Sequence, residues 1–112
     1  MIAMISKLIA AIIGLIKKGE YNQASENIER IYSDFLREDS SFFLAIPEEE
    51  LTVRLLKEHN YTNGHLEILA ELFNVQAELE LEQGNRTRSL EYSRKSLILF
   101  EFLDKVQKTY SL

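Results

Sequence analysis

One proline and four isolated glycines, at positions 14, 19, 64 and 84, are all that interrupt this 112-residue chain. With so few breakers it cannot make the many tight turns of a β protein, and long helices are the default. No stretch shows sustained alternation of apolar and polar residues, so no sheet is expected. Hydrophobic residues make up 46% of the chain, enough for one modest core and against disorder. The expected fold is all-α: one domain, residues 1–112, built from antiparallel helix hairpins.

Four main helices are predicted. The first covers residues 2–18, with Lys17 and Lys18 in its last turn, where cations suit the helix dipole, and Gly19 just past its end. The second runs from Asn22, a plausible N-cap, to Arg37. On a wheel of about 100° per residue its Ala24, Ile28, Ile31, Tyr32 and Phe35 share one side, an ordinary one-faced amphipathic helix. Residues 38–46 form an apolar connector, with Phe42, Phe43, Leu44 and Ile46 in a short helix or packed loop. Pro47 at N1, followed by Glu48, Glu49 and Glu50, starts a segment that fades near Asn60. The third long helix is expected over 64–83, ending at Gly84, and the fourth over 87–108, with Thr87 as N-cap.

A repeat lies inside this pattern. Gly19 and Gly84 each end a helix, and each is followed five positions later by a small residue, Ala24 and Ser89. Ala77, Ser89 and Ser96 stand where two helices of the second unit would cross, with Phe73 near the start of that unit and Leu8 in the matching place of the first. This resembles the tetratricopeptide repeat, whose two helices meet at small residues beside a turn glycine. It is also similar to a group of small bacterial helical proteins related to these repeats. The likeness covers about two thirds of the chain, and the glycines are 65 residues apart, near two periods of about 34. The sequence departs from the pattern at Ile12 and Ile31, which replace small residues, and at the missing closing prolines. The resemblance implies a concave face lined by Ser6, Ile9 and Ile13 in one unit and by Glu71, Asn74 and Glu78 in the other. A basic clamp for a peptide carboxylate is absent there, so the resemblance implies an apolar or basic peptide instead.

Chemistry is sparse. There are no cysteines, which removes disulfides and thiolate chemistry and fits a reducing, cytoplasmic setting. His59 and His65 are six apart across a predicted break and do not share a face as a metal pair would; they read as helix-end histidines. The isolated glycines form no phosphate loop, and no nucleophile elbow is present. The chain is expected to be no enzyme and to need no cofactor or metal.

Net charge is −5, against a nucleic-acid partner. The charge is uneven. Residues 1–20 hold three lysines and one glutamate (+2), 21–83 hold four basic and fourteen acidic groups (−10), and 84–112 hold six basic and three acidic groups (+3). Glu67, Glu71, Glu78 and Glu82 fall within about 60° on the third helix, a carboxylate ridge. Like charges one turn apart cost about a few tenths of a kcal/mol per pair. The ridge is expected to be solvated or compensated by Arg88, Arg94 and Lys95; as a functional feature it would dock a basic peptide.

Two helices are more apolar than one packing partner can cover. In the first, polar or small residues (Ala3, Ser6, Lys7, Ala10, Gly14, Lys17, Lys18) take an arc of about 120°, and apolar residues from Met1 to Ile16 fill the rest. That stretch is not expected to be a signal peptide: Lys7 is the only charge before the apolar core, no small-residue cleavage site follows, and Lys17-Lys18-Gly19 comes directly after. In the fourth helix Leu97, Ile98, Leu99 and Phe100 are consecutive and point in four directions. Either the first helix is central in the bundle, or the chain self-associates; the second is the favoured expectation. The candidate interface is Ile5, Ile9, Ile12 and Ile16, or Ile98, Phe102 and Val106, in a homodimer. The functional expectation is a protein-interaction module, scaffold or regulator, working through these apolar faces. The alternative is a peripheral membrane protein that lays helix 1–18 in the interface.

Overall fold

Glycine turns set the frame. The computed structural model describes the backbone of residues 2–110 and the side chains of 4–108. Helix α1 spans Ile2–Lys17 and α2 spans Tyr21–Ile31; α5 spans Asn63–Glu82 and α6 spans Arg86–Tyr110. The turn between α1 and α2 and the turn between α5 and α6 are the same structure, 65 residues apart. Glu20 N–H donates to Leu15 O at 2.9 Å, and Asn85 N–H donates to Glu80 O at 2.8 Å. Gly19 N–H donates to Ile16 O and Gly84 N–H to Leu81 O, both at 3.0 Å. These six-residue closures need a left-handed residue, and Gly19 and Gly84 have φ of 80° and 86°. The next helix begins at once, through Ala24 N–H to Glu20 O and Ser89 N–H to Asn85 O.

That economy corrects both predicted N-caps. Asn22 lies inside the first turn of α2, whose N-cap is Glu20, and Thr87 lies inside α6, which starts at Arg86. The closing bond of one helix uses the residue that opens the next, so the chain enters each second helix earlier than a side-chain cap would mark.

The middle of the chain is less regular. A π-helical turn, Tyr32–Leu36, prolongs α2 to Arg37, which ends it at φ 64°. Helix α3, Ser40–Leu44, is capped by Asp39, whose Oδ1 accepts from Phe42 N–H at 2.9 Å. The Glu29 carboxylate reaches from α2 to accept from Ser40 N–H at 3.0 Å and Ser40 Oγ–H at 2.9 Å. Pro47 is the N-cap, with ψ 144°, of a 3-10 turn, Glu48–Glu50, and not the N1 residue of a regular helix. Only Leu51–Val53, α4, is α-helical before a π turn, Arg54–Glu58. The irregularity keeps Leu51 and Leu55 buried, and Tyr61 N–H closes it onto Leu55 O. Thr62 then caps α5 in a reciprocal box with His65.

Helix α5 is the centre of the bundle, with α1, α2 and α6 packed on it and ten of its twenty side chains buried. The alternative of a central first helix therefore gives way. α1 buries Ile5, Ile9, Ile12 and Ile16, at steps of four and three, and packs half-buried Ile13 and Leu15 against the core, while Met4 and Leu8 stay exposed. Met1, Ile2 and Ala3, counted on its wheel, have side chains outside the described residues. In α2 the expected face holds: Ala24, Ile28, Ile31 and Tyr32 are buried and Phe35 is half-buried. The small residues of the second unit sit at the α5–α6 crossing. Ser89 Oγ–H donates to Ala77 O at 2.7 Å and Ser96 Oγ–H to Ala70 O at 2.9 Å, both buried. Between these contacts the rings of Phe73 and Tyr92 lie 5.8 Å apart.

Stability predictions of two kinds follow from this frame, the first at two glycines. Gly84→Ala forces a side chain into a φ of 86° and should cost about 1–2 kcal/mol in urea unfolding. Gly14→Ala, inside α1 with nothing within 4 Å of the added Cβ, should stabilise by about 0.5–1 kcal/mol. The second prediction concerns Tyr32, fully buried, stacked on Phe43, its hydroxyl without a hydrogen bond to any described residue. Burial pushes that hydroxyl well above its ordinary 10.0, and Tyr92 and Glu29 add to the shift. The folded chain then keeps a proton that the unfolded chain loses, so this group's stabilisation is complete below pH 10 and falls away as pH rises above it. Tyr32→Phe should raise stability at neutral pH by about 1 kcal/mol and make the alkaline decline shallower, read by thermal melts across that range.

Candidate interaction surfaces

Lysine 95 carries the one buried charge of α6, and the sequence placed it elsewhere. It was expected to face the acidic ridge of α5. Instead its side chain is 4% exposed and Nζ donates to the main-chain carbonyls of Phe43 (3.3 Å), Leu44 (2.7 Å) and Ile46. These carbonyls lie at and just past the end of α3, where a cation is favoured by the dipole and by hydrogen bonding; that of Phe43 also accepts from Ile46 N–H at 3.2 Å. Beside it Arg94 pairs with Glu48 at 3.2 Å. Burial lowers the Lys95 pKa from its ordinary value, while Glu48, Glu91 and Glu49 raise it. Arg88 lies exposed beside Glu91 near the α5–α6 turn. Two of the three cations expected to balance the ridge thus tie α6 to the middle segment.

The ridge itself is a strip along α5. Glu67, Glu71 and Glu78 are half-buried and Glu82 is exposed. Near one end Glu67 and Glu71 lie against Ile5 and Ser6 of α1. On its other side Glu67 joins Asn63, Phe100, Leu103, Asp104, Val106 and Gln107 around an open groove of about 590 Å³. This groove holds two carboxylates beside apolar walls.

The apolar candidates divide sharply. Ile5, Ile9, Ile12 and Ile16 are all core residues, so the structure removes them from the surface on which an interface was expected. The reason is that α5 needs an apolar partner along its flank and α1 is the one that reaches it. A membrane role for that isoleucine face would require α1 to leave the core. Among the described residues no helix is long and apolar enough to cross a membrane. Ile98 and Phe102 are half-buried against the core, and Val106 is half-buried in the groove wall.

What remains outside is a different set. On α6, Leu90 and Leu97 are each 58% exposed and Phe100 is 37% exposed. On α1, Met4 and Leu8 are exposed, and Leu8 borders a groove of about 200 Å³ with Ala11, Ile12, Ile31 and Phe35, edged by Arg30 and Asp34. Sequence reasoning passed over Leu90 and named Leu97 and Phe100 only within the apolar run, not among the interface candidates. The spacing that marks Leu90 and Leu97, seven residues apart with Phe100 three further on, was hidden by the continuous apolar run from 97 to 100.

The histidines have local roles. His65 Nδ1 accepts from Thr62 N–H at 3.0 Å in the cap of α5, and its ring lies 5.0 Å from that of Tyr61. His59 packs edge-on against Phe42 at 5.2 Å. Among the described residues no group of three or more His, Asp or Glu side chains is arranged to hold a metal. No protein-family model, curated protein or solved structure matches the chain.

Removing the buried cation tests its place in this arrangement. Lys95→Ala leaves the end of α3 without its donor and should cost about 1–3 kcal/mol in urea unfolding. Limited proteolysis should then cut within residues 38–46 faster than in the native protein.

Proposed function

We propose that this chain is a cytoplasmic protein-interaction module of the tetratricopeptide type, which docks other protein chains on apolar helix faces and performs no catalysis. One observation carries the reading: the row Leu90, Leu97 and Phe100 along the outer side of α6, three large apolar side chains that the chain leaves uncovered. Single exposed apolar residues are common, but a row on one helix face marks a contact surface. The Leu8 groove between α1 and α2 supports it with a second apolar recess, sized for one side chain of a partner and edged by charges that would orient it. The paired turns at Gly19 and Gly84, and small residues at the α5–α6 crossing, support the tetratricopeptide likeness.

The test places a benzophenone amino acid at position 8, at position 97, or at exposed Lys57 as a control, and irradiates the protein inside its source cell. Positions 8 and 97 should yield discrete protein adducts that position 57 does not. Absence of discrete adducts at both apolar positions would overturn the reading.

A further inference from the structure

The outer face of α6 is complementary to itself. Arg86, Leu90, Ser93, Leu97, Phe100 and Asp104 follow one another at alternating steps of four and three, the spacing of a coiled-coil seam, and all six are exposed. Arg86 and Asp104 are eighteen residues apart, five whole turns, so they point the same way about 27 Å from each other. Arg86 with Asp104, Leu90 with Phe100, and Ser93 with Leu97 all share one midpoint, the level of residue 95.

From this we infer that the partner of the α6 face is a second copy of this chain, paired antiparallel about a two-fold axis at the level of residue 95. The inference rests on the interaction-module reading and names its partner. In that register Arg86 meets the second copy's Asp104, Leu90 meets its Phe100 and Ser93 meets its Leu97, and each contact recurs on the other side of the axis. Apolar contacts fill the middle, a small serine faces each central leucine, and an opposite-charge pair closes each end. Parallel alignment would instead set Arg86 against Arg86 and Asp104 against Asp104. Arg94 also lies near the axis. Its charge is already paired with Glu48 of its own chain at 3.2 Å, so the two copies do not bring bare like charges together. Asp104 has an exposed partner, Lys108, at 3.1 Å on the same helix, a weak contact that leaves the carboxylate open to a second cation. The seam is short, so the dimer is reversible, with a dissociation constant on the order of micromolar.

The test is sedimentation equilibrium of the full chain, with circular dichroism to show that each variant stays helical. The native protein should approach twice the 13.0 kDa of one chain at high micromolar concentration. Leu97→Glu should weaken association by about tenfold or more. Arg86→Asp and Asp104→Arg should each weaken it alone, because both ends of each homodimer then carry like charges. Mixing these two variants should restore the dimer as a heterodimer, since every end then pairs opposite charges; a parallel seam already sets like charges at both ends of the native dimer, so there neither single variant would weaken association. A native protein that stays monomeric, or a dimer indifferent to Leu97→Glu, or no recovery on mixing, overturns the inference. The module reading fails on a different result, the absence of discrete adducts from positions 8 and 97; adducts from position 97 to a different protein would uphold it while overturning self-pairing there.

Discussion

Two serine hydroxyls hold the register on which the bundle depends. Ser89 and Ser96 face α5 at the crossing and donate to carbonyls of Ala77 and Ala70, which also serve the helix ladder with their other lone pair. A buried hydroxyl without a partner is costly, so a slip of α6 along α5 would lose two hydrogen bonds together. The contacts step by seven residues in opposite directions along the two helices, and this ties the rotation of α6 as well as its position. Once α6 is set, Tyr92 and Leu99 join the core, Lys95 turns to the middle segment, and Leu90 and Leu97 are left outside.

The middle segment depends on that placement. Residues 38–60 contain two short helices, a 3-10 turn and a π turn, with too little regular hydrogen bonding to stand alone. They are attached by side chains from elsewhere, Glu29 to the start of α3, Lys95 to its end and Arg94 to Glu48, and their two flanks are joined by Tyr61 Oη–H donating to Leu36 O at 2.6 Å. The basic C-terminal segment 84–112 and the acidic middle of the chain do interact, but through main-chain carbonyls and Glu48 in place of the α5 ridge.

The same placement separates structural from available apolar surface. A helix that is apolar over most of its circumference gives no warning of which side will be buried. In α1 the isoleucines at 5, 9, 12 and 16 are taken up by the core, and in α6 Leu99 is taken up while its neighbours Leu97 and Phe100 are not. An interaction surface here is what remains after α5 has been covered.

The sequence by itself determined the hairpins. The left-handed turns at Gly19 and Gly84, the reciprocal cap at Thr62 and the one-sided face of α2 all depend on residues within a turn or two of each other, so neighbours in the chain suffice to specify them. The small residues Ala77, Ser89 and Ser96 were also legible, because a crossing at close range admits little else. Only the tertiary structure decided that α5 is central, that Lys95 is buried, and that Leu90, Leu97 and Phe100 form the exposed row. Each of these depends on which distant helix comes to cover a face, and an apolar run that points in every direction carries no record of that choice.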